Sequence, residues 1–181
     1  MIIMSKKVLL DSKKIDIILK RLVCQLVENH KDFKNTVLIG LQPRGVFLVK
    51  RILEVLNIDF PHLRINNGIL DYTFFRDDFR RTSKTISANK TSINFTIENK
   101  KIVLIDDVLF TGRSVKSAMA SIDSYGRPKA IELLVLVDRR YKREIPIEAN
   151  YFGVKIDTFK GDRVNVIWDD DSKNNIIYIE N

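Results

Sequence analysis

The chain has 181 residues, enough for one domain of ordinary size and too few for two. Apolar residues make up 45% and charged residues 30%, which supports a packed core, while one cysteine excludes an intrachain disulfide and two histidines leave little for zinc. The net charge of +8 lies in residues 1–100, where 18 basic side chains face 10 acidic ones; residues 101–181 hold 13 of each.

Such a split suits a polyanionic partner. A genome biased toward Lys, Ile and Asn, all abundant here, gives the same excess. Residues 1–14 lack the apolar stretch and cleavage site of a signal peptide, and no apolar run approaches the roughly 18 residues of a membrane span. A cytoplasmic protein is expected. Ile15, Ile18, Leu19, Leu22, Val23, Leu26 and Val27 recur at helical spacing, predicting a helix over 15–30 capped by Asp11 or Ser12. Val37 to Leu41 form an apolar run ending in Gln42-Pro43-Arg44-Gly45, a strand followed by a loop. Val46, Val49, Ile52, Leu53 and Leu56 mark a second helix. His62 to Phe75 alternates imperfectly and fits one or two strands. Residues 76–94 are polar and charged, the composition of a mobile functional loop.

Ile102 to Ile105 read as a buried strand ending at Asp106-Asp107. Val115, Ala118, Met119 and Ile122 describe a helix that stops near Gly126 and Pro128. Ile131 to Val137 form another apolar strand ending at Asp138, and short strands follow around 150–154, 164–168 and 176–179. Strand–helix alternation with continuous apolar strands predicts an α/β fold with a central, mainly parallel sheet flanked by helices, in a single domain spanning 1–181.

Ligands of an open parallel sheet bind beyond the carboxyl ends of its strands. Three strands here end in polar clusters: Gln42-Pro43-Arg44, Asp106-Asp107 and Asp138-Arg139. The strongest motif runs Ile102-Val103-Leu104-Ile105-Asp106-Asp107-Val108-Leu109-Phe110-Thr111-Gly112-Arg113-Ser114. It delivers two carboxylates, then a turn whose hydroxyls and amides open a helix, a ready anion site. Carboxylates beside an anion site suit a ligand that is both sugar and phosphate, or help hold Mg²⁺. A strand–turn–helix with a solvated acid pair and Thr111 as a cap is the plainer alternative.

This segment resembles the phosphoribosyl pyrophosphate (PRPP) signature of type I phosphoribosyltransferases. Its Thr-Gly-Arg-Ser ending is similar to that of one subgroup, the pyrimidine operon attenuator/uracil phosphoribosyltransferase (PyrR) family. Leu9-Leu10-Asp11, Arg44-Gly45-Val46, Phe75-Arg76-Asp77-Asp78, Gly126-Arg127-Pro128, Leu136-Val137-Asp138-Arg139 and Arg143-Glu144-Ile145-Pro146-Ile147 agree, so the likeness spans nearly the whole chain.

The resemblance implies a type I phosphoribosyltransferase fold with a small hood over 138–181 and a flexible loop over 76–94. It implies an enzyme converting uracil and PRPP to UMP and pyrophosphate with Mg²⁺, with Asp106, Asp107 and Arg44 as catalytic residues. Asp106 and Asp107 would hold the ribose, and Asp107 the metal. Residues from Val108, Leu109 and Phe110 to Thr111, Gly112, Arg113 and Ser114 would complete the PRPP site, the last four cradling the 5′-phosphate. Gln42, Pro43 and Arg44 would form the pyrophosphate loop, with Arg76, Arg80 or Arg81 reaching the same group. Asp138, Arg139 and Val164 would lie by the base. Transfer to a purine base, and an RNA-binding regulator using the site as a nucleotide sensor, remain alternatives. The family assembles as homodimers or larger oligomers and binds RNA with the polar face of the first helix. Here that face carries Ile17, Lys20, Arg21, Cys24 and Glu28. Lys20 and Cys24 stand where a Thr and a His are usual, Pro43 where a Thr is frequent, and Arg140-Tyr141 where Gly-His is usual. RNA recognition is therefore expected to be weak, and Cys24 to be inert.

Overall fold

The computed structural model describes residues 6–79, 87–159, 161–169 and 174–180. In chain order the elements are β1 (Lys6–Leu10), α1 (Ser12–His30), β2 (Thr36–Leu41), α2 (Gly45–Asp59), β3 (Asn66–Leu70), a 3-10 turn (Thr73–Phe75), β4 (Lys101–Leu109), α3 (Arg113–Ile122), β5 (Ala130–Arg140), β6 (Tyr151–Asp157), β7 (Arg163–Ile167) and β8 (Ile176–Glu180). Five strands form one sheet in the order β3-β2-β4-β5-β6, every neighbour parallel. The other three form an antiparallel sheet in the order β1-β8-β7. No described helix is long and apolar enough to cross a membrane.

Because successive strand residues point to opposite faces, the central strands feed two cores. Leu38, Val103 and Ile105 pack with Leu19, Leu22, Leu26, Leu48 and Ile52 of α1 and α2. Val37, Ile39, Ile102 and Leu104 pack with Val115, Ala118 and Ile122 of α3. Burial on both faces explains the unbroken apolar runs. Asp11, one of the two caps the sequence offers, caps α1 by accepting the Lys14 amide at 2.9 Å, and the helix starts at Ser12, ahead of the expected residue 15.

Several boundaries differ from the sequence reading. Residues 62–75 hold one strand, β3, followed by the 3-10 turn. Helix α3 ends at Ile122, ahead of Gly126, in a turn closed by the Tyr125 amide on the Ile122 carbonyl. Strands β4 and β5 continue past their apolar runs, so Asp106, Asp107 and Asp138 lie within strands. β1 is not evident in the sequence, since its pairing partner is at the far end of the chain, Lys6 facing Glu180. The antiparallel sheet is thus built from both chain ends, and β6, within the expected hood span of 138–181, belongs to the parallel sheet. Of the expected loop, residues 87–94 are anchored: Ile69 and Ser92 exchange backbone hydrogen bonds at 2.8 and 2.9 Å, and the Asn89 amide donates to Asp71.

Candidate active site

Strand stagger opens the site. The last pair between β2 and β4 joins Gly40 to Ile105, whereas β4 and β5 stay paired through Leu109 and Asp138. Beyond that pair, residues 106–109 have no β2 strand partner, and Arg44 of the turn after β2 approaches Asp107. Gly45 makes the approach possible: a Cβ there would lie 2.1 Å from the Ile105 carbonyl oxygen and 3.1 Å from Asp106 Cα. The Gln42–Pro43 bond is cis, and the Gln42 amide donates to the Leu70 carbonyl at 2.9 Å.

Asp107 is only 5% exposed, and its Oδ2 is buried without a hydrogen-bond partner. The nearest cation is Arg44, whose Nη1 lies 3.9 Å away on a half-exposed side chain. Burial pushes the Asp107 carboxyl above its ordinary value, and Arg44 opposes the rise. Asp106 is pushed well above the carboxylate range, first by loss of hydration and then by the Asp107 charge. Its Oδ1 accepts the Asp107 amide at 2.9 Å. An orphaned, buried carboxylate oxygen is a hard donor of the kind Mg²⁺ takes, and Asp107 fits that role. Among the described residues no group of three His, Cys, Asp or Glu side chains converges on a metal position. The donor set therefore fits an ion that keeps waters and ligand oxygens, as Mg²⁺ commonly does.

The turn after β4 is shaped by Gly112, whose φ of 89° lies in the left-handed region that glycine tolerates best. The Thr111 carbonyl accepts the amides of Glu144 and Ile145, each at 3.0 Å, and Thr111 Oγ1 accepts the Arg113 amide at 3.3 Å. Ser114 hydrogen-bonds Tyr72, whose hydroxyl is pushed up by burial. Arg113 Nε donates to Glu144 at 2.6 Å and Nη1 to Asp77. Arg76 forms a fork with Asp78 at 2.8 and 2.6 Å. Arg80 and Arg81 lie outside the described residues.

Other expected site residues have structural partners. Arg139 stacks over Phe110, its guanidinium carbon 3.9 Å from the ring centroid, and donates to Thr158 and the Asp162 carbonyl. Asp138 is buried and accepts from Arg143 at 2.5 Å, and Arg143 also donates to the Phe110 carbonyl. Val108 is partly buried, and Leu109 lies in the α3-side core. The Val164 side chain is buried in the core cluster that also holds α1 and α2 residues, so it is not presented to solvent. A cavity of about 510 Å³ opens beside Asp138, lined also by Arg139, Tyr141, Arg143, Ile147 and Lys155.

Tyr72, Asp77, Arg143 and Glu144 had no role assigned from sequence. Asp77, Arg143 and Glu144 stood within motifs noted above, but their partners are 31 to 36 residues away or on another element. Arg21, on the outer face of α1, donates to the carbonyls of Phe152 and Gly153 of β6 at 2.9 and 2.7 Å.

Comparison with known proteins agrees with this geometry. A family model described as a phosphoribosyl transferase domain matches residues 5–171. A protein of Caldicellulosiruptor bescii named bifunctional protein PyrR is 43% identical over 175 residues, 96% of this chain and 94% of that one. A Clostridium novyi protein of the same name is 40% identical over 162 residues, 90% of each chain. Among solved structures, a hypoxanthine phosphoribosyltransferase of Staphylococcus aureus has a TM-score of 0.63 at 25% identity, covering 83% of this chain and 77% of that one.

Proposed function

The chain belongs to the phosphoribosyltransferases and, within them, to the PyrR family, and from that membership we propose that it transfers phosphoribose from PRPP to uracil, releasing pyrophosphate. The observation that carries this reading is the buried, unpartnered Asp107 carboxylate oxygen facing Arg44 across the strand gap, with the Thr111–Ser114 turn directly downstream.

Breaking the bond between the sugar and pyrophosphate builds positive charge on the ribose and negative charge on the leaving group. Asp106 and Asp107 would hold the ribose hydroxyls, for which their poor hydration leaves acceptors in want of donors. Arg44 and the amides of the Gln42–Arg44 turn would take the leaving group, and Arg76 would reach the same group. Amides of the turn from Thr111 to Ser114, with α3 behind them, would bind the 5′-phosphate. Mg²⁺, when bound, would neutralise pyrophosphate charge, with Asp107 as its protein ligand. The cavity beside Asp138 is roomy enough for a nucleobase, and backbone groups at its edge can read the carbonyl and N–H pattern of uracil.

Initial rates with PRPP and each of uracil, hypoxanthine, guanine and adenine test the assignment. Uracil is expected to react fastest. Faster turnover of hypoxanthine or guanine would move this chain to the purine activity in the name of its structural neighbour.

A further inference from the structure

Two arginines on the rim of the proposed phosphate cradle already hold anions. Arg76 is gripped by Asp78 through Nε and Nη2 at 2.8 and 2.6 Å, the two-point fork that a phosphate also offers a guanidinium. Arg113 is shared between Asp77 and Glu144. Asp77 and Asp78 occupy the centre of a tight turn closed by the Phe79 amide on the Arg76 carbonyl at 3.3 Å. An edge-to-face contact of Phe74 with Phe79, centroids 5.2 Å apart, braces that turn. Both acids are thus presented by a built corner. The gap they leave among Tyr72, Arg76, Arg113 and Ser114 is about 60 Å³, room for roughly two waters.

We propose that Asp77 and Asp78 are internal stand-ins for substrate phosphate: they hold Arg113 and Arg76 in anion-binding geometry, and the phosphorylated substrate binds by exchanging with them. This rests on the phosphoribosyltransferase reading of the site. The exchange is physically cheap. All four side chains are about half exposed, and pairs of that kind contribute about 0–1 kcal/mol. The effect on affinity is nevertheless direct. With Glu144 counted, two cations face three carboxylates, so an arriving phosphate must break the Arg76–Asp78 fork and the Arg113–Asp77 contact and then sit beside the displaced acids. Without them it meets Arg76 unopposed and Arg113 held by Glu144 alone. The pairing therefore keeps the rim from filling with any available anion and reserves it for a ligand that gains contacts elsewhere, at the ribose and the base.

The two probes that separate the arginines are ribose 5-phosphate, which presents only the 5′-phosphate, and inorganic pyrophosphate. Calorimetric titration at fixed ionic strength should show Asp77→Asn binding ribose 5-phosphate about 2- to 5-fold more tightly, and Asp78→Asn doing the same for pyrophosphate. Asp123→Asn, an exposed acid at the far end of α3, controls for net charge and should change neither. Unchanged or weaker binding in variants that keep the wild-type Tm overturns the proposal, because the acids would then support the loop rather than compete. If Asp77→Asn fails to fold, Glu144→Gln removes the other carboxylate from the same guanidinium and is read the same way. Wild-type protein that binds PRPP, with variants that bind the probes no better, sinks this inference alone. Wild-type protein that binds neither PRPP nor either probe removes the underlying reading as well.

Discussion

The Arg44 guanidinium stands 3.9 Å from Asp107 Oδ2, an oxygen buried from water and without a hydrogen bond. That distance is too long for a hydrogen bond and short enough for attraction between a buried carboxylate and a half-exposed guanidinium. A buried acceptor left in this state is destabilising unless something else comes to it. Arg44 belongs to the turn after β2 and Asp107 to β4, so the gap between them is where the proposed ligand would join the two elements.

Asp107→Asn is expected to lower kcat/KM by at least about 100-fold while leaving the fold intact, since the isosteric amide keeps the packing and loses the charge. Parallel measurement of rate and Tm checks this. Near-normal kcat/KM in a folded variant would count decisively against the site.

Asp106→Asn should raise Tm at pH 7 while depressing activity. A carboxyl whose value is raised on folding holds its proton longer than the unfolded chain does, so the cost to stability is absent below its ordinary value of 3.8, grows as pH climbs from there to the raised value, and is constant above it. The gain, roughly 2–4 °C for each kcal/mol relieved in a chain of this size, should vanish below about pH 3.8. Thermal melts across that range test it.

His30 gives the opposite slope. Its ring is buried between Thr36 Oγ1 at 3.1 Å and Tyr151 Oη at 3.2 Å, with Glu132 nearby, and burial lowers its value below 6.5. The neutral ring contributes stability that is complete above pH 6.5 and lost as pH falls through the depressed value. Urea unfolding should show stability dropping by at most about 1.4 kcal/mol per pH unit below 6.5. His30→Gln should remove that component.

Gly45→Ala should lower both Tm and activity, because its Cβ would meet the Ile105 carbonyl oxygen at 2.1 Å and push α2 from β4. A cost of about 1–3 kcal/mol is expected from the forced shift. Circular dichroism melts and PRPP titration measure the two effects. Gly161, whose added Cβ would meet nothing within 4 Å, marks the contrast in packing.

RNA affinity should be weak, steeply salt-dependent and nearly indifferent to sequence. Base readout needs placed donors and stacking groups, and the outer face of α1 offers Lys20 and Cys24 with Arg21 committed to β6. Gel shifts at physiological ionic strength with a pyrimidine-leader hairpin and a scrambled hairpin measure this. Tight binding of the leader hairpin alone, strengthened by UMP, would reverse the expectation.

By itself the sequence determined the parallel α/β class and most of α1, its cap narrowed to Asp11 or Ser12, and it singled out the segment from Ile102 to Ser114 as the strongest candidate for the chemistry. These are local properties: apolar runs buried on both faces, helical periodicity, and a motif contiguous in the chain. Tertiary structure alone decided that β1 pairs with β8, that Val164 is core, that Arg21 donates to carbonyls of β6, and that Arg113 is shared by Asp77 and Glu144. Each of these joins residues far apart in the chain, and neither periodicity nor local spacing encodes a partner 31 or more positions away. The site itself depends on both. Asp107 is legible as an acid at a strand end, but its orphaned oxygen exists only because β2 stops at Leu41 while β5 runs on to Arg140, leaving one flank of β4 open to Arg44.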